Sequence, residues 1–168
     1  MSRSYNSDLT DDRSWRAGCL SGIICDTKYR VATPLVVLDT NVLVSALRSN
    51  KGASFAVLER IGGGAFEIAV SVALVLEYED AMLRHRGALS AAEVRDIVDY
   101  VCGEARHHRV YFLWRPLLRD PNDDMVAEVA VAAGAQAIVT HNRRDFLGVE
   151  KFGLKIWSPQ QLLERIEK

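Results

Sequence analysis

Four carboxylates widely separated along the chain, Asp39, Glu77, Asp123 and Asp145, are the residues best suited to chemistry. Asp39 ends the apolar run Leu35-Val36-Val37-Leu38, and Asp145 follows a polar turn after a second such run at 137–139. Glu77 and Asp123 lie in segments with helical patterning. Hard divalent cations such as Mg²⁺ or Mn²⁺ take oxygen donors of this kind. Carboxylates gathered without a cation repel and raise one another's pKa values. One or two such ions would polarise a phosphodiester and activate water for in-line attack, which is the chemistry of a metal-dependent nuclease.

Each acid also has a plainer reading. Asp39 can cap the helix that follows it, Glu77 can be a solvated helix glutamate, and Asp123 can be a first-turn acid facing a helix dipole. Periodicity discriminates among them. Asp123 lies three residues before Val126 and seven before Ala130, on the line of the expected buried face. Asp124 is rotated about a quarter turn away, which leaves it a supporting role, and Asp120 takes the cap position before Pro121. Glu77 shares a stripe with the small Ala73 and Ala81, while Val72, Val75, Leu76 and Leu83 form the expected apolar side. Thr140-His141-Asn142-Arg143-Arg144-Asp145 is the counterpart of Asp39-Thr40-Asn41 if the two apolar strands are neighbours. Thr40, Asn41, Thr140 and Asn142 can then position ligands and water. Arg143 and Arg144 are candidate phosphate contacts.

The elements that must carry these residues alternate between strand and helix. Strands are predicted at 35–38, 66–70, 110–113, 137–140 and 155–157, the first and fourth apolar enough to be covered on both faces. Helices are predicted from Asn41 to Leu47, from Ala53 to Ile61 with a stop at Gly62-Gly63-Gly64, and from a Ser71 cap to about His85. Ser90-Ala91-Ala92-Glu93 and Ser158-Pro159-Gln160-Gln161 are capping boxes that open two further helices. The helix after Asp120 ends at Gly134. This alternation, without hairpin signals, implies an α/β domain with a mainly parallel sheet, in which chemistry sits outside the carboxyl ends of the strands. At 168 residues there is material for one domain. It is expected over 34–168, behind a disordered extension at 1–33 that lacks periodicity.

Composition narrows the function further. A net charge of −1 gives no global positive field to coat a nucleic acid. No apolar stretch nears the ~20 residues that span a bilayer, and the first thirty residues lack a signal-peptide core, so a cytoplasmic address with no membrane partner is expected. Cys19, Cys25 and Cys102 have no zinc-like spacing and are expected to be reduced thiols, with Cys102 in the core. The four histidines lack metal-ligand spacing. His107-His108, between Arg106 and Arg109, is either a solvated connection or a small RNA-facing patch. A P-loop, a dinucleotide fingerprint and a G-x-S-x-G elbow are all missing.

The same residues resemble the PIN-domain family of metal-dependent ribonucleases. Val36-Val37-Leu38-Asp39-Thr40-Asn41 looks like the family's first strand with its acid, and Ser71 to Glu79 is similar to the helix carrying the second acid, here Glu77. Arg119 to Phe146 resembles the stretch with the third acid, where the spacing to Gly134 favours Asp123. The resemblance runs from about Leu35 to the C-terminus. It implies a three-layer α/β/α fold and a metal site of Asp39, Glu77, Asp123 and Asp145 holding one or two Mg²⁺ or Mn²⁺ ions. It also implies endoribonuclease activity by metal-activated water, with Asp39, Glu77 and Asp123 as the catalytic acids. The nearest branch, VapC-like, contains toxins of type II toxin–antitoxin pairs, which implies a small antitoxin partner and a homodimer. In one respect the chain departs from the pattern: Asn142 stands where many relatives carry an aspartate two residues after the strand-end threonine, and Asp145 is the substitute. Two other readings compete, a degenerate PIN fold serving as a protein or RNA interaction module and an aspartyl-phosphate phosphatase with Asp39 as nucleophile. The second lacks the acid usually found two residues later, where this chain has Asn41.

Overall fold

The computed structural model describes residues 33–111, 118 and 120–167, with backbone alone at 121 and 122. The extension expected over 1–33 therefore falls almost wholly outside the described residues, as do Cys19 and Cys25. Five strands, β1 (Leu35–Leu38), β2 (Glu67–Val70), β3 (Arg106–His107), β4 (Ala137–Val139) and β5 (Lys155–Trp157), form one sheet in the order β3-β2-β1-β4-β5. Every pairing is parallel. Six helices accompany them among the described residues: α1 (Thr40–Arg48), α2 (Ala53–Glu59), α3 (Val72–Arg84), α4 (Ala91–Glu104), α5 (Pro121–Ala132) and α6 (Pro159–Ile166). The arrangement is the three-layer α/β/α fold that the strand–helix alternation implies.

The sheet order decides where a site can lie. β1 is central, with Val36 in register with Ile68 of β2 on one side and Ala137 of β4 on the other. The chain leaves β1 toward β2 and reaches β4 on the opposite side only later, so the strand order reverses between β1 and β4. Ligands of open parallel sheets bind in the crevice at such a reversal. Asp39 and Thr140, the residues following β1 and β4, flank it. The Asp39 N–H donates to the Val139 carbonyl at 2.9 Å, so the ladder holds the two strand ends together.

Local sequence explains most element boundaries. The capping boxes at Ser90 and Ser158 form with both reciprocal bonds, and Ser71 caps α3 by accepting from the Leu74 N–H. The Gly62 turn after α2 takes a positive φ of 77°, and the Glu104 carboxylate packs where its side chain would be. Gly134 closes α5 in the same left-handed region, at φ 61°.

Three expectations need correction. Val110 and Tyr111 are not strand, 112 and 113 lie outside the described residues, and the edge strand is Arg106–His107. Both of its residues are exposed, so no hydrophobic pattern marks it. Pairing with β2 and the Arg106–Glu67 ion pair at 2.6 Å define it instead. The buried face of α3 is Leu74, Tyr78, Ala81 and Met82, whereas Val72 and Leu76 are 75% and 60% exposed. Val75 and Leu83 of the expected side do pack half-buried against the core, so periodicity misplaced part of the face rather than all of it. Finally, Cys102 is a free, half-buried thiol whose sulfur approaches the His107 ring at 3.9 Å, rather than a core residue.

Candidate functional site

The site is built on two strand ends sewn together by one asparagine. Asp39 is the N-cap of α1, its Oδ1 accepting from the Asn41 N–H at 3.4 Å. Its Oδ2 accepts from the Thr140 hydroxyl at 2.6 Å and from the Asn41 side-chain amide at 2.5 Å. The capping role and the site role therefore belong to the same carboxylate. Asn41 serves it as a donor and not as a second acid. The Asn41 amide also reaches the Thr140 hydroxyl at 3.1 Å, and its Oδ1 accepts from the His141 N–H at 3.2 Å. The Thr140 hydroxyl, fully buried, is saturated: it donates to Asp39 and accepts from Asn41 and from the Asn142 N–H at 2.9 Å. Buried networks with every member satisfied hold one geometry.

The loop after β4 adds a second carboxylate. Asn142 donates its side-chain amide to Asp145 and so holds that carboxylate in place. Asp145 is close enough for its charge to act on both Asp39 and Asp123. On the same loop the His141 ring meets the Ser54 hydroxyl of α2 at 2.7 Å, a tie between the site and this helix that the sequence did not suggest. Arg143 and Arg144 are exposed beside it.

Asp123 is the half-buried rim of the cluster. Burial first, then the charges of Asp39, Asp145, Asp120 and Asp124, push its carboxyl up to about 7. Burial likewise raises Asp39, opposed by its hydrogen bonds from Thr140 and Asn41 and reinforced by Asp145. The expectation that Asp123 points inward more than Asp124 is reversed: Asp124 is 1% exposed and accepts the Leu118 N–H at 2.6 Å. Helix α5 packs on β1, β2, β4 and α3, and everything from Val126 to Ala130 is buried. No single face exists for periodicity to find. Asp124 is thus the fold anchor and Asp123 the group presented to the site.

Glu77 stands apart from this group. Its carboxylate is paired with Arg84 at 3.6 Å, Arg84 also holding Asp80 at 2.9 Å, and Glu77 is not among the charges that raise Asp123. Its neighbour Tyr78 was overlooked in the sequence although it lies on the buried stripe of α3. The Tyr78 hydroxyl donates to the Leu38 carbonyl, at the base of Asp39. Burial, reinforced by the Asp39 charge, holds the phenol well above its ordinary pKa, so it stays a donor. Tyr78→Phe is expected to cost about 1–2 kcal/mol, because a buried carbonyl loses its partner. Urea unfolding measures it, and an unchanged midpoint would contradict the role.

Among the described residues no three acidic, histidine or cysteine side chains form a closed metal cage. The donor chemistry nevertheless fits a hard cation: oxygens only, desolvated, and mutually repelling. Two clefts among the described residues lie around His108, Arg109 and Tyr111, on the α3 and α5 side of this cluster rather than over it.

Fold and site together define an open parallel α/β domain with an acidic centre at the reversal point of its sheet. The family model for the PIN domain matches residues 35–144, and the chain belongs to the PIN-domain family, whose members are typically nucleases that use divalent metal ions. Among solved structures it is similar to that of VapBC2 from Rickettsia felis bound to a DNA fragment from their promoter. The TM-score is 0.52 at 18% identity, over 73% of this chain and 98% of that one. Among curated proteins none matches.

Proposed function

We propose that the protein is a Mg²⁺- or Mn²⁺-dependent endoribonuclease whose site is formed by Asp39, Asp123, Asp145 and Glu77. The observation that carries this reading is the convergence of Asp39, Asp123 and Asp145 at the reversal point of the sheet, where burial first and then the neighbouring charges raise Asp123, a repulsion that a cation would relieve. Asp39, Asp123 and Asp145 would hold the ion, with Glu77 joining on release from Arg84. A bound divalent ion supplies Lewis-acid stabilisation of the scissile phosphate and activates the attacking water. Thr140 and Asn41 fix Asp39, Asn142 fixes Asp145, and Asp123, raised to about 7 in the metal-free protein, would shed its proton on holding the ion. Thr40 contributes a backbone N–H that favours ionised Asp39. Exposed Arg143 and Arg144 are suited to phosphate contacts.

The biological setting that accords with this chemistry is the toxin of a type II toxin–antitoxin pair in the cytoplasm. The likeness to the Rickettsia VapBC2 structure supports it, and so do Val72 and Leu76, exposed one turn apart on α3, as an apolar strip for an antitoxin or for a second copy. No helix among the described residues is long and apolar enough to cross a membrane. The test is hydrolysis of single-stranded RNA by purified protein with Mn²⁺. Cleavage is expected to stop with EDTA and to return when Mn²⁺ is restored, and cleavage indifferent to chelation would overturn the reading. The pairing of Glu77 with Arg84 favours one alternative, a PIN fold kept as an interaction module. In that case millimolar Mn²⁺ would produce neither cleavage nor a thermal shift.

A further inference from the structure

Beside the acids, at the same carboxyl edge of the sheet, lies a cleft of about 380 Å³ that the proposed chemistry does not use. Its walls include Val72 and Ala73 at the start of α3, Met125 of α5, and the segment from His108 to Tyr111. It lies on the two helices that carry Glu77 and Asp123, near the starts of α3 and α5, and Ser71 and the buried Glu128 also line it. A second cleft of about 650 Å³, sharing His108, Arg109 and Tyr111, extends it along α5 toward Ala132. Tyr111 is 78% exposed, an aromatic face open to solvent. Arg109 is exposed and makes no ion pair with any described residue, so its guanidinium is available to an incoming anion. His107 is committed elsewhere, its ring bonded to the Cys102 carbonyl at 2.9 Å.

A cleft with largely apolar walls, an exposed aromatic ring and a cation at the rim are elements with which proteins hold single-stranded nucleic acid: the base stacks and the phosphate pairs. We infer that this cleft seats a nucleobase of the RNA strand flanking the scissile phosphate, stacked on Tyr111, with Arg109 on an adjoining phosphate. The inference rests on the ribonuclease reading and adds to it where the strand runs and which residues grip it. The near-neutral net charge makes such a local grip necessary, because no general positive field draws RNA to the protein.

The test is fluorescence anisotropy of a labelled single-stranded RNA of roughly eight nucleotides, a length within common site sizes. EDTA in the buffer suspends cleavage, so binding alone is read. Tyr111→Ala is expected to weaken binding about ten-fold and Tyr111→Phe to restore it, as stacking requires. Arg109→Gln is expected to weaken binding several-fold and to lower the salt slope by about one. Both residues are exposed, so folding is not at stake, and Mn²⁺-induced thermal shifts should match the wild type. Wild-type binding that Tyr111→Ala leaves unchanged overturns the cleft while leaving the nuclease reading intact. A wild-type protein that binds no RNA overturns both.

Discussion

Replacing Asp123 with asparagine is expected to make the metal-free protein more stable at pH 8 while abolishing RNA cleavage. The carboxyl titrates near 3.9 in an unfolded chain and at about 7 in the folded one. The folded state therefore binds this proton more tightly, and between these two values it carries more protons than the unfolded state. Stability contributed at this site is intact at pH 4 and is lost as pH rises through 7. The full difference corresponds to about 4 kcal/mol, but Asp123 is only half buried, and screening by solvent leaves about 1–2 kcal/mol. Asp123→Asn removes that penalty, because a neutral amide does not repel Asp39 and Asp145. The same change deletes a ligand. The two proteins should thus converge in stability at pH 4–5 and diverge at pH 8 by urea titration, the variant being the more stable. Mn²⁺ at a hundred times its dissociation constant should return about 2.7 kcal/mol to the wild type, and less to the variant. A variant less stable than wild type at pH 8 without metal would contradict the account.

Asp39→Ala is expected to lower cleavage by at least about 10²-fold, the usual scale for losing a group that stabilises developing charge, and to weaken the fold. The fold loses three things together. The α1 cap disappears, the buried Thr140 hydroxyl loses its acceptor, and the Asn41 amide loses one of two partners. A lost cap costs about 1 kcal/mol, and a buried donor left unsatisfied adds about 1–3 kcal/mol. Asp39→Asn keeps an acceptor oxygen and should recover part of the stability but none of the activity. That separation distinguishes a ligand from a residue that merely organises the loops, and comparison of melting curves with single-turnover cleavage reads it.

What was legible in the sequence follows a physical line. Caps at Ser71, Ser90 and Ser158 depend on residues within one turn, and all three form as the spacing implies. The covered strands β1 and β4 declare themselves by unbroken apolar runs, and their polar tips, Asp39 and Thr140, do meet through a 2.6 Å bond. Periodicity failed where a helix is buried on every side, reversing the relative burial of Asp123 and Asp124 though not the choice of Asp123 for the site, and it misplaced part of the buried face of α3, where Val72 and Leu76 are exposed. Edge strand β3 is two exposed residues fixed by its neighbour, so nothing local announces it. The Asn41 bridge and the Ser54–His141 contact join residues about a hundred and about ninety positions apart, and such links exist only once the sheet has formed. Asn142 is the instructive case. Alone it reads as a lost acid, and its bond to Asp145, three residues on, becomes visible only in the folded loop.

The most direct measurement is calorimetric titration of the purified protein with Mn²⁺ at pH 7 in buffers of different ionisation enthalpy. With Asp123 near half-protonated at that pH, cation binding is expected to release about half a proton per ion, since ligands must shed protons to coordinate. The release should vanish in Asp123→Asn. Binding with no proton release, or no binding at millimolar Mn²⁺, would contradict a cation site built on these carboxylates.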